Sequence, residues 1–512
     1  MKHNILAASV AAALLTLPGI AGAAVAGITG KAGGGNCGND GAGHPIDRCF
    51  SLTAMPGHIT LGDGNQLLVW GFSDNDAPIT VDGSGAPSAI TPQYPGPTLV
   101  MLEGERIKVT LTNSLSRKVF DGNGQSTTVV PAASLVFPGQ TDVVAYGGTP
   151  GTITREAVGT GEAVSYTFTA GRPGTFMYQA GSQPELAIEM GMVGAMIVRP
   201  AGLPAGTKSA YGRKGTDYDR EYLYVLTEMD RSAHEAVEFG QPVDPASFSA
   251  TLWFMNGRNG PDTLVGPPEV GATAQGGVQW FPAQPYDALT RIGAGERLLG
   301  RVVAAGRDLH PFHHHGNNAW VVARDAHVLE TSAGAEVAYP DFQFNNVELR
   351  AANATLPDAA VSNFTEQSVP GTTMDFLWTW TGKGLGWDPY GTGVRYAADG
   401  VTVTHSCDAR HGKAMPGEDL DSHCKALPVT LPENQALTIG GLWGGSPELG
   451  ATGALPPGEG GLNPAGGYSF MWHSHTEREL TNDNVFPGGM MTMTIVEAPG
   501  QLEPEAPGLL LQ

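Results

Sequence analysis

Arg106-Ile107-Lys108-Val109-Thr110-Leu111 alternates polar and apolar side chains at every step. Successive side chains of an extended backbone point to opposite faces, so this period of two marks a strand with one face in a core. The same pattern recurs outward from it. Gln66-Leu67-Leu68-Val69-Trp70-Gly71-Phe72 and Thr98-Leu99-Val100-Met101 read as strands before it. Segments near 166–169, 175–178 and 195–198 follow it, and a second β-rich region opens at Tyr222-Leu223-Tyr224-Val225-Leu226. No amphipathic helix stands out. The 512 residues hold 72 Gly and 38 Pro while only 15% are charged, which favours many turns over charged helix faces. The chain therefore reads as all-β and is long enough for two or more domains.

An internal repeat organises it. Gly104-Glu105-Arg106 matches Gly295-Glu296-Arg297, each before apolar strand residues. Phe176-Met177-Tyr178-Gln179-Ala180-Gly181 matches Phe470-Met471-Trp472-His473-Ser474-His475, and the run Met190–Val198 matches Pro487–Val496. Two related β-domains are predicted, 51–200 and 218–498, joined by a linker at 201–217. The second holds a Gly- and Pro-rich insertion at about 383–465, and a tail covers 499–512.

Lys2, the apolar run from Ile5 to Leu17 and Ala21-Gly22-Ala23 read as a signal peptide over residues 1–23, followed by a Gly-rich leader over 24–50. That run is too short to span a membrane. The expected protein is exported, periplasmic or extracellular, with no membrane span. Its formal net charge of −22 argues against nucleic acid and anionic membranes as partners and suits attraction of cations. The cysteines form two close pairs, Cys37 with Cys49 and Cys407 with Cys424, which in an oxidising compartment predicts two disulfides.

His310-Pro311-Phe312-His313-His314-His315-Gly316 carries the chemistry. On a strand, His313 and His315 share a side, and neutral imidazole is a common copper and zinc ligand. Trp472-His473-Ser474-His475 is a second His-x-His unit, followed by Gly488-Gly489-Met490. Adjacent strands would bring the two units together, with four nitrogens for one or two metal ions.

His-Pro-Phe-His-x-His-Gly resembles the late histidine motif of multicopper oxidases, and the final His-x-His with Gly-Met resembles their last ligand motif. Tyr94-Pro95-Gly96-Pro97-Thr98 and Asn113 resemble their opening domain, and Tyr218–Tyr222 with Met255-Asn256-Gly257 the next. The resemblance implies tandem cupredoxin-like Greek-key barrels or sandwiches, and copper as cofactor. It also implies a small-molecule or metal-ion reductant as substrate. The two-domain layout is similar to small laccases and copper nitrite reductases, which implies a homo-oligomer, a trimer. By resemblance His310 falls at the mononuclear blue-copper position, with Met490 as its axial ligand. His313, His315, His473 and His475 fall at trinuclear-cluster positions.

The departures count as much. Ser474 stands where the family has its blue-copper cysteine, and a hydroxyl cannot replace a thiolate. Glu477 and Glu479 stand where another histidine is expected, and no histidine lies between His58 and His234. Two functions stay open: a copper oxidoreductase, or a non-catalytic relative that stores, delivers or senses copper or builds an extracellular structure. In the insertion, His405, Cys407, His411, His423 and Cys424 read as a disulfide-tied loop rather than a metal site. Met190, Met192, Met196, Met491 and Met493 read as core. Glu185, Glu189, Glu228, Asp230, Glu477 and Glu479 could bind a cation or relay protons, but read mostly as solvated loop residues.

Overall fold

The computed structural model describes residues 25–78, 80–81, 89–265, 281–293, 295–339, 354–380 and 468–497. It also describes Leu502 and short strands at Val394–Tyr396, Val403–Ser406 and Gly445–Pro447. The expected signal peptide and the Cys407–Cys424 pairing, with the side chains of the insertion cluster, lie outside the described residues.

The first half builds nine principal strands: β1 (Arg48–Thr60), β2 (Gln66–Asp74), β3 (Gly96–Leu102), β4 (Arg106–Asn113), β5 (Leu135–Val136), β6 (Val144–Gly147), β7 (Ala163–Thr169), β8 (Gly174–Ala180) and β9 (Val193–Arg199). One sheet runs β2-β1-β4-β7-β6 and the other β5-β8-β9-β3. On β4 the alternation is realised: Ile107, Val109 and Leu111 are buried, while Arg106, Lys108 and Thr110 are half-buried. Ile107, Val109 and Leu111 meet Leu99, Phe176 and Met196 in one apolar core.

The second half repeats the plan with β10 (Arg220–Met229), β11 (Leu252–Met255), β12 (Thr290–Gly293), β13 (Leu298–Ala304), β14 (His310–His314), β15 (Ala319–Arg324), β16 (Thr365–Ser368), β17 (Thr373–Trp378), β18 (Tyr468–Ser474) and β19 (Met491–Glu497). Its sheets run β11-β10-β13-β17-β15 and β12-β19-β18-β14-β16. The fold is thus all-β, two tandem β-sandwiches. The repeat extends to register. β1 lies parallel to β4 as β10 lies to β13, and β3 lies parallel to β9 as β12 lies to β19. Gln179 sits between Val136 and Val193 where His473 sits between His313 and Met491. Even an ion pair is repeated: Arg48 Nε donates to Glu105 at 2.6 Å, and Arg220 Nε to Glu296 at 2.5 Å.

Every residue of β9, β10 and β13 is buried, on both faces. The cause is the junction of the two sandwiches. Leu67, Met177 and Ile197 of the first half share an apolar cluster with Leu223, Val225 and Val303 of the second. A chain of charges crosses the same junction. Arg199 grips both oxygens of Glu221 at 2.5 and 2.6 Å, Arg301 Nε reaches Glu221 at 2.5 Å, and Arg301 Nη1 reaches Asp375 at 3.1 Å. Asp375 also accepts from Thr175 Oγ1 at 2.6 Å and Tyr211 Oη at 2.5 Å. Paired this way, the buried charges have their desolvation offset.

Two details go beyond the sequence reading. The Gly-rich leader is fastened to the first sandwich: Ile28 N donates to Thr98 O at 2.8 Å, and Cys37 is disulfide-bonded to Cys49 at the start of β1. A helix, Arg231–Glu238, follows β10, capped by Asp230 at the Ser232 and Ala233 amides. Eight residues show too little of a 3.6 period to be read from sequence.

Candidate metal centre

β14 and β18 are antiparallel neighbours with His313 directly opposite His473. On one face of this pair Phe312, His314 and Trp472 enter the core. The pleat sends the intervening residues to the opposite face. Gly316 ends the histidine run at φ +94°, and a side chain there would strike the Phe470 ring. Only glycine lets the chain turn away so close to β18.

Three histidines form the cluster. Ligand nitrogens of His313, His315 and His473 all lie within 4.8 Å of one another. His473 Nε2 is 3.2 Å from His315 Nε2. The His475 ring centroid lies 4.7 Å from that of His313, so the fourth histidine borders the group. His473 Nδ1 donates to the Ser474 carbonyl at 2.7 Å, which leaves Nε2 with its lone pair turned to the cluster. His313 Nδ1 is held by Thr365 Oγ1 of β16 at 2.7 Å. Burial, then the neighbouring His315, His473 and His475, push His313 down to about 3. Burial pushes His473 down to about 4. Both are neutral near pH 7, the form a metal requires. His313 is buried, His315 and His473 are half-buried and His475 is exposed, so the cluster opens to solvent on one side.

His310 does not join them. Its Nε2 donates to Glu228 at 2.8 Å and its Nδ1 donates to Glu479 at 2.8 Å. All three residues are buried. Burial works against a charge on His310, but the bonds and charges of the two glutamates outweigh it and raise the imidazolium to about 9. Glu228 also accepts the amides of Arg307 and Asp308, and a side chain at Gly306 would collide with its carboxylate. Met490 is buried in the apolar core, with its amide on Glu479 O and its carbonyl accepting from Ser474 N. Glu189, Glu228, Asp230 and Glu479, read as solvated, are all buried. Sequence reasoning missed Glu228 and Glu479 as partners of His310, and Thr365 as the support of His313. No local signal marked Glu228 as a partner, since its strand also carries Arg220, Glu221 and Thr227. His314 is a separate case. It is fully buried among Phe312, Phe376 and Trp472, burial drives it far below its ordinary range, and neither ring nitrogen has a hydrogen-bond partner.

No family model and no curated protein matches the sequence. Among solved structures the chain is similar to the multicopper oxidase mgLAC, at 15% identity and TM-score 0.45, covering 88% of this chain and 86% of that one. It is also similar to a blue copper oxidase from Nitrosomonas europaea, at 16% identity and TM-score 0.44, covering 88% and 85%. A copper nitrite reductase from the same organism aligns at 18% identity and TM-score 0.38, over 66% of this chain and 85% of that one.

Proposed function

We propose that this chain is an exported copper-binding protein of the multicopper-oxidase type that holds its metal among His313, His315, His473 and His475 and has no blue mononuclear centre. The observation that carries the reading is the contrast between the two histidine environments. Three imidazole ligand atoms converge within 4.8 Å with His475 beside them. Both nitrogens of His310 are meanwhile spent on carboxylates. Copper's preference for imidazole fits the first set, and the second offers no lone pair. Ser474 supplies no thiolate, and Met490 is packed as a core side chain.

Copper bound at the four histidines would supply one-electron redox chemistry. The chain's own part is to keep His313 and His473 neutral, to hold the His313 ring through Thr365, to fix the His473 tautomer through the Ser474 carbonyl, and to leave the His475 side open. That opening favours a second reading of the same site, a copper-dependent oxidoreductase meeting a small organic or metal-ion reductant there. Without a thiolate entry point, laccase-type turnover should be absent or very slow.

Copper titration with paramagnetic resonance tests both readings. The copper form should be pale, with a tetragonal nitrogen-ligated spectrum, and His313→Ala with His473→Ala together should remove most bound copper. An intense copper–thiolate colour, or copper retained by the double variant, would overturn the assignment.

A further inference from the structure

A cleft of about 410 Å³ lies between the 184–189 segment after β8 and the helix Arg231–Glu238 with the loop after it. We propose that it binds a small organic cation bearing N–H donors, a primary amine or a guanidine.

Its volume falls within the roughly 300–1,000 Å³ usual for small-molecule sites. The walls combine apolar surface from Leu186, Val243 and Phe248 with four carboxylates, Glu185, Glu189, Asp230 and Asp244. Two of these are spent on the fold. Asp230 caps the helix and also accepts from Ser249 N, and Asp244 caps the turn at Pro245–Ser247. Glu189 is different. Its side chain is 2% exposed, and Oε1 accepts the Asp230 amide at 2.7 Å. Oε2 has no hydrogen-bond partner. His234 Nε2 lies 3.4 Å from Oε1, on the same carboxylate, and Arg307 Nε is 4.0 Å from Oε2, which is beyond a hydrogen bond. A buried acceptor left in that state is costly, so the cleft presents an unmet demand for a donor.

Arg307 is the lone basic residue among those lining the cleft. Its guanidinium lies 4.0 Å over the Phe248 ring and donates to the Glu185 carbonyl. The guanidinium is therefore engaged at the wall, and the acidic lining selects a cation. A metal ion fits poorly, because Glu189 offers one free oxygen and no His, Cys or acidic cluster at metal spacing was found here among the described residues. A compact organic cation, its N–H on Glu189 Oε2 and its carbon body on Leu186 and Val243, meets both demands. The inference does not depend on the copper reading.

Calorimetric titration of the full chain with phenethylamine and with agmatine tests it. Choline serves as a cation without N–H donors and phenylacetate as an anion. At least one of the two donors should bind one to one, at least tenfold tighter than choline, with no binding of phenylacetate. Glu189→Gln should weaken that binding at least tenfold. Ala233→Phe, a filling change on a half-buried face of the helix, should abolish it with the copper content unchanged. Failure of both donors to bind overturns the proposal. So does equal binding of choline, or binding that survives both variants, since that would be attraction to the acidic surface alone.

Discussion

His310 is held as a cation in a place without solvent, and pH reads this out. A histidine in an unfolded chain titrates near 6.5; here Glu228 and Glu479 hold it up to about 9, with Asp308 nearby. A raised folded-state value contributes stability that is complete below 6.5 and is lost as pH rises through 9. His313 and His473 act in the opposite direction. Lowered to about 3 and about 4, they cost stability as pH falls below 6.5. Denaturant midpoints of the metal-free protein should therefore fall on both sides of neutrality, and His310→Gln should flatten the alkaline limb. An alkaline limb of the same slope in that variant would contradict the ion triad. At this scale the four clustered histidines were legible, because a period of two fixes which side chains share a face. The glutamates were not, because no local pattern says what a facing element brings to a buried position.

The strands show where pattern runs out. The Gly104-Glu105 and Gly295-Glu296 repeats are visible in sequence, but their arginine partners lie 57 and 76 positions away. Arg220→Leu takes the arginine away from the nearly buried Glu296 carboxylate, which should cost roughly 3–5 kcal/mol. Removing both charges, Arg220→Leu with Glu296→Leu, should recover most of that loss in equilibrium denaturation. If the double variant is no more stable than the single one, the pair is not what holds β10 to the turn before β13. The strand β10 itself was found from its apolar run, and the run is long because both of its faces are covered.

For the whole molecule, the all-β tandem plan follows from the repeat and the alternation. The intimacy of the two sandwiches does not, since Arg199, Glu221, Arg301 and Asp375 look like ordinary strand charges in sequence. A junction with a shared apolar cluster and a buried ion chain should not melt in halves. Calorimetry should give one transition whose calorimetric and van't Hoff enthalpies agree. Glu221→Gln, which removes the buried carboxylate shared by Arg199 and Arg301, should lower that transition by several degrees or more. Two resolved transitions would show that the halves are independent.

That junction also sets a schedule for the newborn chain. Thr175 must wait for Asp375, 200 residues later. At about 5–20 residues per second, translation leaves a gap of roughly 10–40 s. Throughout it the outer face of β8 and β9 is only partly covered, because Leu223 and Val225 follow soon while Val303 and Asp375 do not. Premature closure of the first half in that interval would present a sticky, half-finished sheet. Slow early folding of the first half would spare the chain that exposure.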